Sequence, residues 1–183
     1  DRGFTAYLRL HRSAFAIAVA WRVLFIALLS PFDATGDEPG YLRIAHNLAE
    51  QGRFSLESQA PFEPTTMRAP LLPFLAAVMQ STFGAIEGPL RLFHGLLGLL
   101  AIAMLGYAVS RQSARAGTIA TWLLCVSPLD ALYEPRVLSE TLTITLLASA
   151  MAAPIVVTRH WRWIVSGISV GLLCLTRDVY LLF

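Results

Sequence analysis

The sequence predicts an all-α polytopic membrane protein, and three observations predict it. Hydrophobic residues make up 56% of the 183, mean hydropathy is +0.60 and charged residues are only 14%, against about 25% in soluble domains. A soluble fold of this length has too little interior to hide that much apolar surface. The apolar residues also gather into runs near 14–32, 90–109, 117–130, 138–157 and 163–177. A span needs roughly 17–25 residues, so about five transmembrane helices are expected, the third and fifth running into their loops. Finally, the basic residues punctuate these runs in a regular way. With five spans, Arg2, Arg9 and Arg12, then Arg111 and Arg115, then Arg159 and Arg162, all fall on one side. The positive-inside rule makes that side cytoplasmic.

The run at 14–32 follows Arg9 and Arg12 like a signal peptide. It lacks a small-residue cleavage site and is a full span long, so an anchor is expected. The segment 33–89 then lies outside and forms the largest hydrophilic piece. It holds seven of the twelve acids and three of the fourteen arginines. Within it, Tyr41, Ile44, Ala45, Leu48 and Ala49 recur at helical spacing and predict a surface helix over 37–51. Arg43, His46, Asn47 and Glu50 fall on the other face. Pro39 suits the first turn and Gly52 the C-terminal stop. The run 70–84 is shorter and carries Pro70 and Pro73. It is expected to lie in the interface as a second amphipathic helix; counting it as a span would move Arg111 and Arg115 opposite the N-terminus. The segment 131–137 is also outside, with Arg177 and Asp178 near the outer surface.

All fourteen basic residues are Arg, which we read as coding bias rather than chemistry. The formal charge of +2 says little by itself; no nucleic-acid partner is expected, and the bilayer is the first partner expected. Cys125 and Cys174 sit inside apolar runs and are expected to pack as free thiols. Residue 1 is not Met and the chain ends on apolar VYLLF, so a chain cut at both ends is expected.

Candidate site residues cluster at the outer ends of the spans. Asp37 and Glu38 occupy the N-cap region of the 37–51 helix. Carboxylates there satisfy free N–H groups and the helix dipole, so capping alone explains their type. The same place also suits a base that accepts a proton from a hydroxyl, or a divalent-ion ligand. Arg68, in RAPLLP, either snorkels to headgroups or holds a phosphate with its guanidinium fork. Glu140 enters an apolar run among Thr141, Thr143 and Thr145, where an acid costs roughly 2.5–3.5 kcal/mol to insert; Arg136, one turn earlier, is its expected partner. Arg22 within the first span needs a partner and is read as half of an interior salt bridge. His46 and Glu50 are read as a solvated helix face rather than a metal pair. His94 near the top of the second span is unassigned. Gly167 and Gly171 form GxxxG, a helix-packing motif.

In order, these pieces resemble the GT-C superfamily of membrane glycosyltransferases. The likeness is greatest to its protein mannosyltransferase and aminoarabinose transferase group, of glycosyltransferase family 39 type. There a cytoplasmic N-terminus and one span lead to an outer loop with a pattern like (D)E-x-x-Y-x-x-I-A-x-x-L-x-x-x-G-x-(F/W). Here that is Asp37, Glu38, Tyr41, Ile44, Ala45, Leu48, Gly52 and Phe54. A (K/R)-P-P-L motif follows, here Arg68, Ala69, Pro70 and Leu71, with Ala69 departing from the first proline. A second acid after Ser-Pro is matched by Ser127, Pro128 and Glu140. Each motif is loose; their order and membrane side carry the specificity.

The resemblance implies an inverting transferase in the plasma (inner) membrane that moves a sugar from a polyprenyl-phosphate donor to a protein, glycan or lipid acceptor on the extracytoplasmic face. By that likeness Asp37 is the base. Arg68 holds the lipid phosphate, and Glu38, Tyr41, Arg136 and Glu140 complete the substrate-binding set. Metal use varies across the superfamily, so no cofactor is assigned; Asp37, Glu38 and Glu140 are the candidate ligands should a divalent ion be used. Two other classes fit the composition. A lipid or anion flippase would line a path with Arg22, Arg136 and Glu140. A non-catalytic scaffold would be indifferent to loss of Asp37 and Glu140.

Overall fold

The computed structural model describes residues 2–29, 34, 36–157 and 160–177. Asp33, Arg159, Asp178 and the VYLLF tail lie outside the described residues. Among the described residues all regular structure is helical. The helices are α1 (Arg2–Leu10), α2 (Arg12–Leu29), α3 (Glu38–Gln51), α4 (Leu71–Phe83), α5 (Glu87–Gln112), α6 (Ala114–Val126), α7 (Leu129–Tyr133), α8 (Glu140–Val156) and α9 (Arg162–Cys174).

Each expected apolar run becomes a helix, but not all are long enough to span. Glu87–Gln112 and the stretch Ala114–Tyr133 are long and apolar enough to cross a membrane. A third span results if α1 and α2, bent by 70°, are taken together. Of the five expected spans, the last two become α8 and α9, shorter apolar helices of 17 and 13 residues, while α4, expected to lie in the interface, has 13. The shortfall has local causes. The run expected from 138 starts helically only at Glu140, because 135–139 is irregular. The run expected to 177 ends at Cys174. At about 1.5 Å per residue, 13 residues reach about 20 Å, against a hydrocarbon core about 30 Å thick.

Long α5 is the hub. It packs on α1, α2, α4, α6, α7 and α8, while α8 also packs on α9 and α3 on α4. Small residues set the closest approaches. A Cβ at Gly117 would collide with the backbone Cα of Ser110 across the α5–α6 turn, and one at Gly106 with the Tyr7 hydroxyl. Because the obstacle at Gly117 is backbone, Gly117→Ala must push α6 off α5. The expected cost is about 1–3 kcal/mol, read as a lower thermal midpoint in detergent, whereas Gly88→Ala, which meets nothing within 4 Å, leaves it unchanged. Gly167 and Gly171 also meet nothing within 4 Å, so the GxxxG motif is not used in packing among the described residues.

Two buried clusters define the interior. One joins Ala14 and Ala18 of α2 to Ile102 of α5 and Cys125 of α6. The other joins Tyr41 and Ala45 of α3, Leu72, Ala76 and Ala77 of α4, Leu90 of α5, Val137 and Leu142. This second cluster docks the α3–α4 hairpin on one end of the bundle. The opposite end gathers Arg9, Arg12, Arg111, Arg115 and Arg162 at helix termini. Neither Cys125 nor Cys174 is disulfide-bonded, and Cys125 is fully buried.

The 37–51 helix forms nearly as expected. Pro39 lies in its first turn, and Gly52, at φ +64°, closes it with its N–H on Leu48 O at 3.2 Å. The left-handed conformation suits a residue without Cβ. Asn47 departs from the expectation of a polar outer face. It is buried, and its amide donates to Ser55 O and Glu57 O, both at 2.8 Å. It folds the 53–57 segment back along α3.

Candidate functional site

The α3–α4 end of the bundle collects three ion pairs, each joining segments far apart in sequence. Asp37 sits at the N-cap of α3 but makes no side-chain cap bond. Its Oδ1 instead accepts from Arg68 Nη2 at 2.8 Å. Capping therefore does not account for this carboxylate. The Arg68 guanidinium lies 5.6 Å from the centre of the Tyr41 ring, a cation–π contact. Room for it comes from Gly40, where a Cβ would stand 3.4 Å from Arg68 Nε. Arg68 Nε is buried and makes no hydrogen bond.

Glu38, one residue on, points the other way into the protein. It is 5% exposed, so its charge must be met internally. Oε1 accepts from the Val137 backbone N–H at 2.8 Å and Oε2 from Arg136 Nη1 at 3.0 Å. The expected Arg136–Glu140 pair is thus not formed. The one-turn spacing presumes a shared helix, yet α8 begins only at Glu140, and Arg136 lies in the irregular segment before it. Glu140 pairs instead with Arg177, whose Nε also donates to Ser139 Oγ at 3.2 Å. Arg177 is brought in because Leu71 N–H donates to Leu175 O at 2.9 Å, tying the start of α4 to the end of α9.

Three open depressions meet along this cluster. The first, about 560 Å³, is lined by Gly36, Asp37, Glu38, Leu132, Tyr133, Arg136 and Leu138. A second, about 330 Å³, is walled by Asp37, Tyr41, Arg68, Thr176 and Arg177 among others. Asp37 forms the ridge between them. A third, about 360 Å³, shares Arg68 with the second and is otherwise largely apolar, with Phe54, Pro70, Cys174 and Leu175. Polar acid, paired cations and apolar trough thus follow one another in a row.

All six expected site residues, Asp37, Glu38, Tyr41, Arg68, Arg136 and Glu140, fall in this one region. Sequence reasoning missed the direct roles of Arg177 and Gly40. The only signal for Arg177 was a charge at the end of an apolar run. As metal ligands, Asp37, Glu38 and Glu140 fit poorly: each is committed to a different arginine. Among the described residues no three His, Cys, Asp or Glu side chains converge as a metal site. His46 and Glu50 stand 3.1 Å apart on an exposed helix face.

Deeper in the bundle, Arg22 forms the interior salt bridge expected of it. Its Nη2 donates to Glu134 Oε1 at 2.6 Å, Nη1 to Ala18 O at 2.9 Å and Nε to Gly95 O at 3.1 Å. Its partner Glu134 was not identified from sequence. His94 is fully buried beside them, with Nδ1 3.3 Å from Glu134 O and Nε2 without a partner. Comparison with protein-family models, with curated proteins and with solved structures gives no match for this chain.

Proposed function

We propose that this chain carries the catalytic end of an integral membrane glycosyltransferase of GT-C type, using a polyprenyl-phosphate sugar as donor. The observation that carries the reading is the Asp37–Arg68 pair on the ridge between two depressions, with Arg177 lining the second. A carboxylate and two guanidinium groups at one spot suit a reaction that takes a proton on one side and releases a phosphate on the other.

The acceptor hydroxyl approaches from the larger depression, beside Tyr133 and Arg136. Its oxygen attacks the anomeric carbon while its proton passes to the Asp37 carboxylate. The bond from that carbon to the phosphate oxygen breaks with inversion, and the electron pair leaves on the lipid phosphate. Arg68 and Arg177 stabilise the charge that develops there. The apolar trough beyond Arg68 suits the first isoprene units of the lipid. No step is routed through a metal ion.

In this reading α8 and α9 cross the membrane at their short length and join α1–α2, α5 and α6 as five crossings, with α3 and α4 at the outer surface. The exposed Phe74, Val78 and Phe83 of α4 suit an interfacial helix. The topology has its own test in a variant with both native cysteines replaced. Cysteine placed at Ser58 is expected to react with an impermeant maleimide in intact cells, and cysteine at Ser113 only after permeabilisation. The reverse pattern overturns the orientation.

A flippase would need a continuous polar route. Arg22, Arg136 and Glu140 instead belong to three separate ion pairs, which favours the transferase. The donor side is tested by Arg68→Gln. Loss of one charge-assisted contact to phosphate is expected to raise the donor KM about tenfold or more. An unchanged donor KM would remove Arg68 from the phosphate site.

A further inference from the structure

The segment 134–137 is held at four consecutive residues. The Glu134 carboxylate is gripped by Arg22 of α2, and the Glu134 carbonyl faces His94 of α5. Arg91 of α5 donates from Nε to Pro135 O at 2.9 Å. The Arg136 side chain and the Val137 N–H then hold both oxygens of Glu38. Glu38 adjoins Asp37, and Gly36 before them has φ +61°.

The fold makes specific room for this grip. A Cβ at Gly98 would collide with Glu134 Oε1 and stand 2.5 Å from Arg22 Nη2. Helix α5 therefore carries a glycine where the ion pair crosses it. Glu134 is not there for its own hydrogen bonding, since Oε2 is buried without a partner beside a cavity of about 10 Å³. A buried ion pair is weak grounds for stability, since apolar residues of similar size usually do as well.

We propose that Arg22 and Glu134 are a positioning pair for the acidic centre. By fixing Glu134 against α5 they fix the 134–137 segment, and through Arg136 and Val137 they set Glu38 and the first turn of α3 that presents Asp37. This inference rests on Asp37 being the base of the proposed transferase. Neither residue touches the depressions around Asp37 and Arg68, so the pair acts at a distance.

The test uses the full-length protein in nanodiscs, with Glu134→Gln, Gly98→Ala and the double variant Arg22→Met/Glu134→Met. Gly98→Ala displaces the carboxylate without changing charge. The double variant removes the pair and leaves no lone charge behind. Two readouts are made on each. In the transfer assay, kcat is expected to fall about tenfold or more, the scale of a misplaced reacting group, with donor KM within about threefold. In hydrogen exchange, the Val137 amide is expected to lose protection about tenfold or more while mid-α5 amides keep theirs. Unchanged Val137 exchange in all three variants overturns the proposal, as does equal loss of protection along α5, which marks a merely structural pair. Unchanged kcat in the folded double variant, with Asp37→Asn inactive, overturns it while leaving the transferase reading intact. Should the wild type itself transfer no sugar, the transferase reading fails, and the claim that the pair positions Glu38 stands or falls on the Val137 exchange alone.

Discussion

Asp37→Asn is expected to lower the rate of sugar transfer by about 10²–10⁴-fold, the usual contribution of a positioned general base. The loss falls in kcat, because the amide still offers an oxygen to Arg68 but takes no proton from the acceptor. Donor KM changes little. The fold is not at risk, since the Asp37 side chain is 59% exposed and makes no cap bond to α3. Normal insertion and an unchanged thermal midpoint accompany the loss of turnover. Retained turnover in a well-folded Asp37→Asn variant removes Asp37 as base.

The second large effect is one of stability. Arg22→Met alone leaves Glu134, 2% exposed, without its guanidinium; Glu134→Met alone leaves Arg22, 6% exposed, without its carboxylate. Each single change is expected to cost about 3–5 kcal/mol, because it leaves a buried polar group without the partner that offsets its desolvation. The double change Arg22→Met/Glu134→Met removes both charges and fills similar volume. It is expected to be near neutral, or more stable than the parent. Denaturation of the three variants in detergent gives the comparison. Additive losses in the double variant would show that the two groups do not act on each other. The same pair can thus be dispensable for stability and needed for the geometry of the acidic centre.

The positions of the helices were legible because a span-length apolar run has one reading, and every such run became a helix. Their ends were less legible. Hydropathy does not register that 135–139 is held in an irregular path by Glu38 and Arg91, so α8 starts late. The 37–51 helix was legible at both ends because Pro39 and Gly52 have local reasons to sit there. At the site, the acids and Arg68 stood out as charges in a chain poor in them. Their pairing did not, because the partners are 31, 98, 37 and 112 residues apart. The local spacing rule joined Arg136 to Glu140, whereas the tertiary fold gives Arg136 to Glu38 and Glu140 to Arg177. Asn47 shows the same limit: periodicity set it on the outer face of α3, but the 53–57 segment folds over it and buries it.

The most direct test of the account is transfer itself. The full-length protein in nanodiscs is incubated with a panel of radiolabelled polyprenyl-phosphate sugars and membrane extract, beside Asp37→Asn. The account predicts that label passes from one donor to an acceptor in the wild type and stays on the donor in the variant. Donor that binds the wild type yet keeps its label, whichever sugar it carries, would contradict a transferase and point to lipid transport.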